Sequence, residues 1–287
     1  MTLSVVIITH NEEANIARTL ASVQPLVSDG KGEIIVVDSG STDRTVEIAK
    51  SYGAKVFVEE WKGFAAQKNS AIDKATGDWI LSLDADEEPD APLVEEISWL
   101  LGAVPAWEKN GMPVGDDPDS RELRDRGTEI GLDEDDLNGF LIPRKNYFLG
   151  RRIRHGGFWP DSKLRFFRRG SGKFQDQIVH ETIATLGVTS SVQRGALLHH
   201  SYPTLADYLD HMNRYSSLGA EMLVARGPVR FSPFNIILRP LATFIYNYFF
   251  RLGFLDGREG LLLHLYHAVY VSWKYAKAWE LSRRKSP

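Results

Sequence analysis

Four short apolar runs, each followed by a stretch of helical pattern, limit this chain more than any other feature. Residues 3–9 are β-branched or apolar on both faces, as a strand buried in the middle of a parallel sheet must be. Residues 33–37, 54–58 and 79–83 repeat the theme. Between them, residues 11–23, 45–52 and 64–75 carry helical spacing, with Asn11 as N-cap of the first helix and Gly77 as the stop after the third. A βαβαβαβ order with right-handed crossovers predicts a doubly wound α/β fold, a mainly parallel sheet with helices on both faces. Such a sheet gathers ligands at the carboxyl ends of its strands.

The fourth run stops abruptly in Leu83-Asp84-Ala85-Asp86-Glu87. If the extended geometry persists, Asp84 and Asp86 point the same way. Two hard oxygen ligands at a strand end suit a divalent cation that also grips phosphate. Read alone, the pair favours an acidic turn, with Glu87, Glu88 and Asp90 solvated, and the motifs before and after it change that. The turn after the first strand is His10-Asn11-Glu12-Glu13, which lacks the glycines of a dinucleotide-binding or P-loop turn. That also weighs against a nucleotidyltransferase.

Charge is unevenly distributed. Residues 103–138 hold 11 acids against 4 bases, few aromatics and no lasting periodicity, the pattern of an irregular acidic insertion. Residues 226–287 hold 10 bases against 3 acids, interleaved with large apolar blocks. Residues 231–250 are interrupted by Arg239-Pro240, and residues 261–279 by His264, His267 and Lys274, so neither supplies the roughly 20 apolar residues of a spanning helix. They predict a basic amphipathic helical appendage, an interfacial helix pair on an anionic membrane surface. No reader motif suggests nucleic acid. The chain has no cysteine, which excludes disulfides and thiolate-bound metal. Its first residues show no secretory signal pattern. A cytoplasmic protein, peripheral on the inner membrane, is expected.

Three spaced motifs carry a resemblance: residues 4–9 with Asn11-Glu12-Glu13, then Val37-Asp38-Ser39-Gly40-Ser41-Thr42-Asp43, then Leu83-Asp84-Ala85-Asp86-Glu87. Together they resemble glycosyltransferase family 2, which implies the GT-A fold, a nucleotide-sugar donor, an inverting mechanism and a divalent metal, Mg²⁺ or Mn²⁺. The run Arg154-His155-Gly156-Gly157-Phe158-Trp159-Pro160-Asp161, the pair His180-Glu181 and Gly253-Phe254-Leu255-Asp256-Gly257 narrow the likeness to bacterial lipopolysaccharide-core β-glucosyltransferases. The implied catalytic domain is 1–225, with 226–287 as the tail.

The resemblance implies that Thr9, Asn11, Glu12, Asp38, Lys68 and Asp84 bind the nucleotide sugar, UDP-glucose-like, and that Asp86, with Asp84 and His199, holds the metal. The general base is then Glu181, with Asp161 as the other candidate, because the acceptor hydroxyl must lose its proton as it attacks. Arg151, Arg152, Arg154 and Arg168 are candidates for diphosphate or an anionic acceptor. The acceptor implied is a glycolipid or oligosaccharide. Other glycosyltransferases of the same fold, including those that use polyprenyl phosphate, remain alternatives.

Overall fold

The computed structural model describes residues 1–102, 137–175 and 183–284. Most of the acidic insertion, and the expected base Glu181, lie outside the described residues. Two compact units are present: residues 1–144, 162–177 and 181–199 form one, and residues 145–161, 178–180 and 200–287 the other.

The first unit begins as the sequence predicts, with β1 (Leu3–Thr9), α1 (Ile16–Val27), β2 (Gly32–Asp38), α2 (Thr45–Ser51), β3 (Lys55–Val58), α3 (Phe64–Asp73) and β4 (Trp79–Asp84). β5 (Glu87–Pro89) and α4 (Ala91–Leu100) follow. In chain order β6 (Leu137–Ile142), β7 (Arg144–Phe148), β8 (Arg151–Arg152), β9 (Lys163–Arg168), β10 (Gly172–Phe174), β11 (Ile183–Thr185), β12 (Val188–Ser191) and β13 (Leu197–Tyr202) come next, of which β8, nearly all of β7 and the end of β13 belong to the second unit. A seven-stranded sheet runs β12-β6-β9-β4-β1-β2-β3. β4, β1, β2 and β3 are mutually parallel, whereas β9 is antiparallel to both β4 and β6. The parallel half therefore reverses its winding between β1 and β4, and their carboxyl ends form a topological switch point.

Strand alternation sorts the core. Leu3, Val5, Ile7, Val36, Leu81 and Leu83 face α1, α2 and α4 in one cluster. Val6, Ile8, Ile35, Val37 and Ile80 face α3 in another. Every residue of β1 is buried, which is why its sequence is apolar on both faces.

The first helix departs from its expected start. Asn11 sits at φ +54, and α1 begins only at Ile16. The N–H groups of Asn11, Glu12 and Glu13 are taken instead by Ser41 Oγ at 2.8 Å, Thr45 Oγ1 at 2.7 Å and Asp43 Oδ2 at 3.1 Å. Two loops at one end of the sheet are thereby zipped together, and the helix begins only beyond the positive-φ residue Asn11.

In the second unit α5 (Leu205–Ala225) starts with a capping box between Thr204 and Asp207. A π-helical turn (Phe234–Leu238), α6 (Arg239–Ile245), a second π-helical turn (Tyr246–Phe250) and α7 (Gly257–Arg284) follow. α5 and α7 pack along each other, with Lys277 Nζ bonded to Asn213 and Ser216. No helix among the described residues is long and apolar enough to cross a membrane.

At the far end of the sheet Glu33 gathers four donors: Ser4 Oγ, Thr76 N, Thr76 Oγ1 and Lys55 Nζ, each at 2.7 Å. Partial burial alone would raise its pKa, but Lys55, Thr76 and Ser4 together bring it down from 4.5 to about 2. A lowered folded-state pKa means stability that is present above pH 4.5 and lost as pH falls toward 2. Glu33→Gln should cost about 1 kcal/mol at neutral pH. In urea titrations the gap between wild type and variant should close as the pH is lowered through that window.

Candidate active site

β4 ends at Asp84, and Ala85 and Asp86 form a turn before β5. The extended geometry that would align the two carboxylates does not persist. Thr19 on α1 fixes this turn by donating its hydroxyl to the Ala85 carbonyl at 2.7 Å. The two aspartates consequently meet different partners.

Asp84 lies between two buried cations. Its Oδ1 is 2.8 Å from Lys68 Nζ, and its Oδ2 is 2.6 Å from Arg165 Nη2. The same Arg165 Nη2 lies 3.0 Å from Glu87 Oε1, which Arg144 Nη1 also contacts at 3.1 Å. Glu87 Oε2 accepts the Asp84 backbone N–H at 3.0 Å. Burial alone would raise the Asp84 pKa, yet Arg165 and Lys68 hold that carboxyl well below the usual range. Burial by itself would lower the Arg165 pKa; Asp84 and Glu87 reverse that and push it up. Glu87, read from sequence as solvated, is fully buried, and Lys68 has only 7% of its side chain exposed. Asp90 is not solvated either: it caps α4 through Leu93 N and accepts Ala196 N at 3.0 Å.

Asp86 has one side-chain partner among the described residues, His199, whose Nε2 is 3.4 Å from Oδ2. β13 brings His199 there because it pairs antiparallel with β5, opposite Glu87. Burial would raise Asp86 and lower His199; their mutual attraction outweighs it, so Asp86 is lowered and His199 raised. Glu12 is pushed up, first by burial and, against a hydrogen bond from Asn15, by the charges of Asp86, Asp43 and Asp84. Negative charge is therefore in surplus on the Asp86 side of the turn, whereas Asp84 is matched by cations.

The other expected nucleotide residues fall at the ends of β1 and β2. Thr9 is buried, and its hydroxyl has no hydrogen-bond partner among the described residues. Asn11 Oδ1 accepts Thr42 N at 2.8 Å. Asp38 is fully buried and folds its own loop, accepting Gly40 N at 2.9 Å and Ser41 N at 2.8 Å. Within the first unit the structure thus gathers Glu12, Lys68, Asp84, Asp86 and His199 around one turn. Asp161 belongs to the second unit, where it accepts Asn146 Nδ2 at 3.4 Å. Among the candidate arginines, Arg152 lies over the Trp159 ring at 4.6 Å, and Arg168 lies over Trp79 at 5.3 Å and donates to the Leu137 carbonyl.

Sequence reasoning missed Arg165, Arg144 and Glu87. The one signal was an arginine in strand alternation with Phe166 and Phe167. It also missed that two separate motifs of the second unit form a single clamp. Asp256, 3% exposed, accepts the backbone N–H groups of Arg154 and His155 and the His155 ring, Nδ1 to Oδ1 at 3.0 Å. Gly156 N donates to the Arg251 carbonyl at 2.8 Å. A Cβ at Gly156 would lie 2.0 Å from the buried His264 ring, so only glycine fits there.

Whether a divalent cation fits can be tested on the donors. No group of three or more carboxylates, histidines or cysteines able to hold a metal occurs among the described residues. Asp84 already carries two cations. Asp86 and His199, an oxygen and an imidazole nitrogen beside excess negative charge, fit a cation whose remaining ligands come from a bound diphosphate.

The family model described as glycosyl transferase family 2 matches residues 4–170. The lipopolysaccharide core biosynthesis glycosyltransferase LpsC of Rhizobium meliloti is 29% identical over 97% of this chain and 92% of its own length. An "uncharacterized glycosyltransferase" of Rickettsia bellii is 46% identical over 99% of this chain and 88% of its own. The solved structure of S. aureus TarS in complex with UDP covers all of this chain and 92% of that chain, at 17% identity and a TM-score of 0.45.

Removing Arg165 should unfold the strand end, because Asp84 and Glu87 would be left buried with too little positive charge. Arg165→Met is expected to lower stability by about 3 kcal/mol. Urea denaturation checks this, and a loss below about 1 kcal/mol would mean that Lys68 and Arg144 suffice.

Proposed function

Because this chain belongs to glycosyl transferase family 2, we propose that it is an inverting hexosyltransferase using a nucleotide-sugar donor, UDP-glucose-like, and a glycolipid or lipopolysaccharide-core acceptor. The observation that carries the reading is the unequal charge of the two aspartates. Asp84 is neutralised by Lys68 and Arg165, while Asp86 faces His199 beside a like-charged Glu12. A strand end that is short of positive charge, at the switch point of a parallel sheet, suits a cation–diphosphate pair better than a bare sugar.

Asp86 and His199 would hold the divalent cation, Mg²⁺ or Mn²⁺, together with oxygens of the donor. When bound, it supplies positive charge against the departing nucleoside diphosphate. The chain's own residues do the rest. Thr9 offers a hydroxyl without a hydrogen-bond partner among the described residues, and Asn11, Glu12 and Asp38 hold the two loops that would border the nucleoside. Lys68 and Arg165 fix the Asp84 carboxylate. A carboxylate takes the proton of the attacking acceptor hydroxyl, and we assign that role to Glu181, with Asp161 as the alternative. The acceptor is taken at the cytoplasmic face of the inner membrane, where the chain acts as a peripheral protein. Residues 1–225 are read as the catalytic domain, and the basic segment beyond them as the part that meets an anionic surface.

Asp86→Asn should reduce hexose transfer at least a hundredfold with little change in thermal unfolding. It should also abolish the upward shift in melting temperature that wild type gives with UDP and Mn²⁺ together. A variant that keeps both the shift and the transfer would overturn the metal assignment. Glu181→Gln and Asp161→Asn separate the two bases. The variant of the true base should lose transfer at least a hundredfold while keeping the UDP–Mn²⁺ shift.

A further inference from the structure

A protein that modifies a lipid-linked acceptor has to meet the bilayer through some surface, and the second unit contains one. Most large apolar side chains exposed among the described residues fall between 231 and 265. Phe234, Ile237, Leu241, Phe249 and Phe250 are each more than half exposed, with Phe250 at 75%. Residues 226–255 contain four arginines, Arg226, Arg230, Arg239 and Arg251, and no aspartate or glutamate. All four arginines are exposed. The next acid, Asp256, is buried in the clamp with His155. A contiguous apolar surface rimmed by one sign of charge is the mark of an interaction site rather than of ordinary surface.

The helix geometry turns these side chains to one side. The exposed positions come in steps of four: Phe234, Leu238, Ala242, Tyr246 and Phe250, with Ile237, Leu241, Ile245 and Phe249 beside them. The less exposed positions do the same, with Ile236, Pro240, Phe244 and Tyr248 on the inner side. In an α-helix a step of four overshoots a turn by about 40°, so a long row would wind around the axis. Two π-helical turns, Phe234–Leu238 and Tyr246–Phe250, widen the spiral at both ends and keep the row straight. The inner row is held by α7, where Ser272 Oγ donates to the Ile236 carbonyl at 2.9 Å and Tyr248 meets the His264 ring. The other expected member of an interfacial pair, residues 261–279, is mostly half-buried or buried and serves as that support.

We propose that residues 231–255 are a monotopic docking face for an anionic phospholipid bilayer. The Phe and Leu row sits among the acyl chains, and Arg226, Arg230, Arg239 and Arg251 take the headgroup phosphates. The occupant follows from charge: a second copy of this chain would bring its own four arginines against these, whereas anionic headgroups complement them. The inference rests on the reading of a lipid-linked acceptor for its biological sense, but not for its test.

The full chain should co-sediment with vesicles of phosphatidylglycerol in phosphatidylcholine, bind pure phosphatidylcholine far more weakly, and be released by salt. The double variant Phe249→Ser/Phe250→Ser should weaken partitioning at least tenfold without altering thermal unfolding, since both rings are exposed. Arg226→Gln and Arg230→Gln should each weaken it about fivefold. Failure of wild type to bind anionic vesicles, or undiminished binding by both sets of variants, overturns the proposal. So does a dimer that Phe249→Ser/Phe250→Ser dissociates and that leaves vesicles unbound. Release of UDP from UDP-glucose, assayed without vesicles on the same preparations, keeps the two readings apart. Release without vesicle binding removes the docking face alone, and vesicle binding without release removes the transferase reading alone.

Discussion

One guanidinium decides how the candidate site is built. Arg165 reaches Asp84 at the end of β4 and Glu87 at the start of β5, and Glu87 in turn accepts the Asp84 backbone N–H. β9 can deliver Arg165 there because it runs antiparallel beside β4 within the sheet. Ion pairs this buried contribute little net stability, since desolvation offsets most of their attraction. What they contribute here is position. With Asp84 and Glu87 tied to one side chain, the two residues between them have to form a turn, and Asp86 is carried away from Lys68 and Arg165 toward His199.

The consequence is a division of charge across three residues. An Asp-x-Asp in extended conformation would present two equivalent carboxylates, which repel each other and raise one pKa. The turn removes that equivalence. Asp84 keeps its charge because cations surround it, and Asp86 keeps its charge with an imidazole as its side-chain partner among the described residues, while Glu12 feels both of them. The loops after β1 and β2 are fixed by the same economy of hydrogen bonds. The N–H groups of Asn11, Glu12 and Glu13 bond Ser41, Thr45 and Asp43, which ties these two loops together at the switch point.

Much of the parallel half of the sheet was legible in the sequence because β1, β2 and β4 are continuous buried runs, and burial on both faces leaves no ambiguity of period; β3, at the sheet edge, is mostly exposed. The end of β4 was legible as chemistry, though not as geometry. Local pattern places Asp84 and Asp86 together, but it cannot report that an arginine 81 residues further along lies against one and not the other. Glu87 shows the same limit. A glutamate in an acidic stretch looks solvated until Arg144 and Arg165, both distant in sequence, are brought to it. The start of α1 was misplaced for a related reason, since Asn11 takes a positive φ in a loop bonded to side chains and backbone about 30 residues downstream. Asp38 illustrates the converse: the turn Asp38-Ser39-Gly40-Ser41 contains its own partners, so its capping geometry could be foreseen.

In the second unit, local pattern and tertiary packing disagree more instructively. Residues 231–250 and 261–279 look alike as interrupted apolar segments, yet one is an outer surface and the other its support. The difference lies in spacing. A row repeating every four residues stays on one side only if the helix is wider than an α-helix over part of its length, and the first segment has π-helical turns where this is needed. The buried Asp256 then closes the far end of that segment onto the Arg154–His155 backbone. An exposed apolar helix held by α7 on its inner side and by a buried carboxylate at its end does not have to fold back to hide its side chains. That support preserves the exposure, and the Arg251 carbonyl, by accepting Gly156 N, ties the Gly156-Gly157 loop to the same segment.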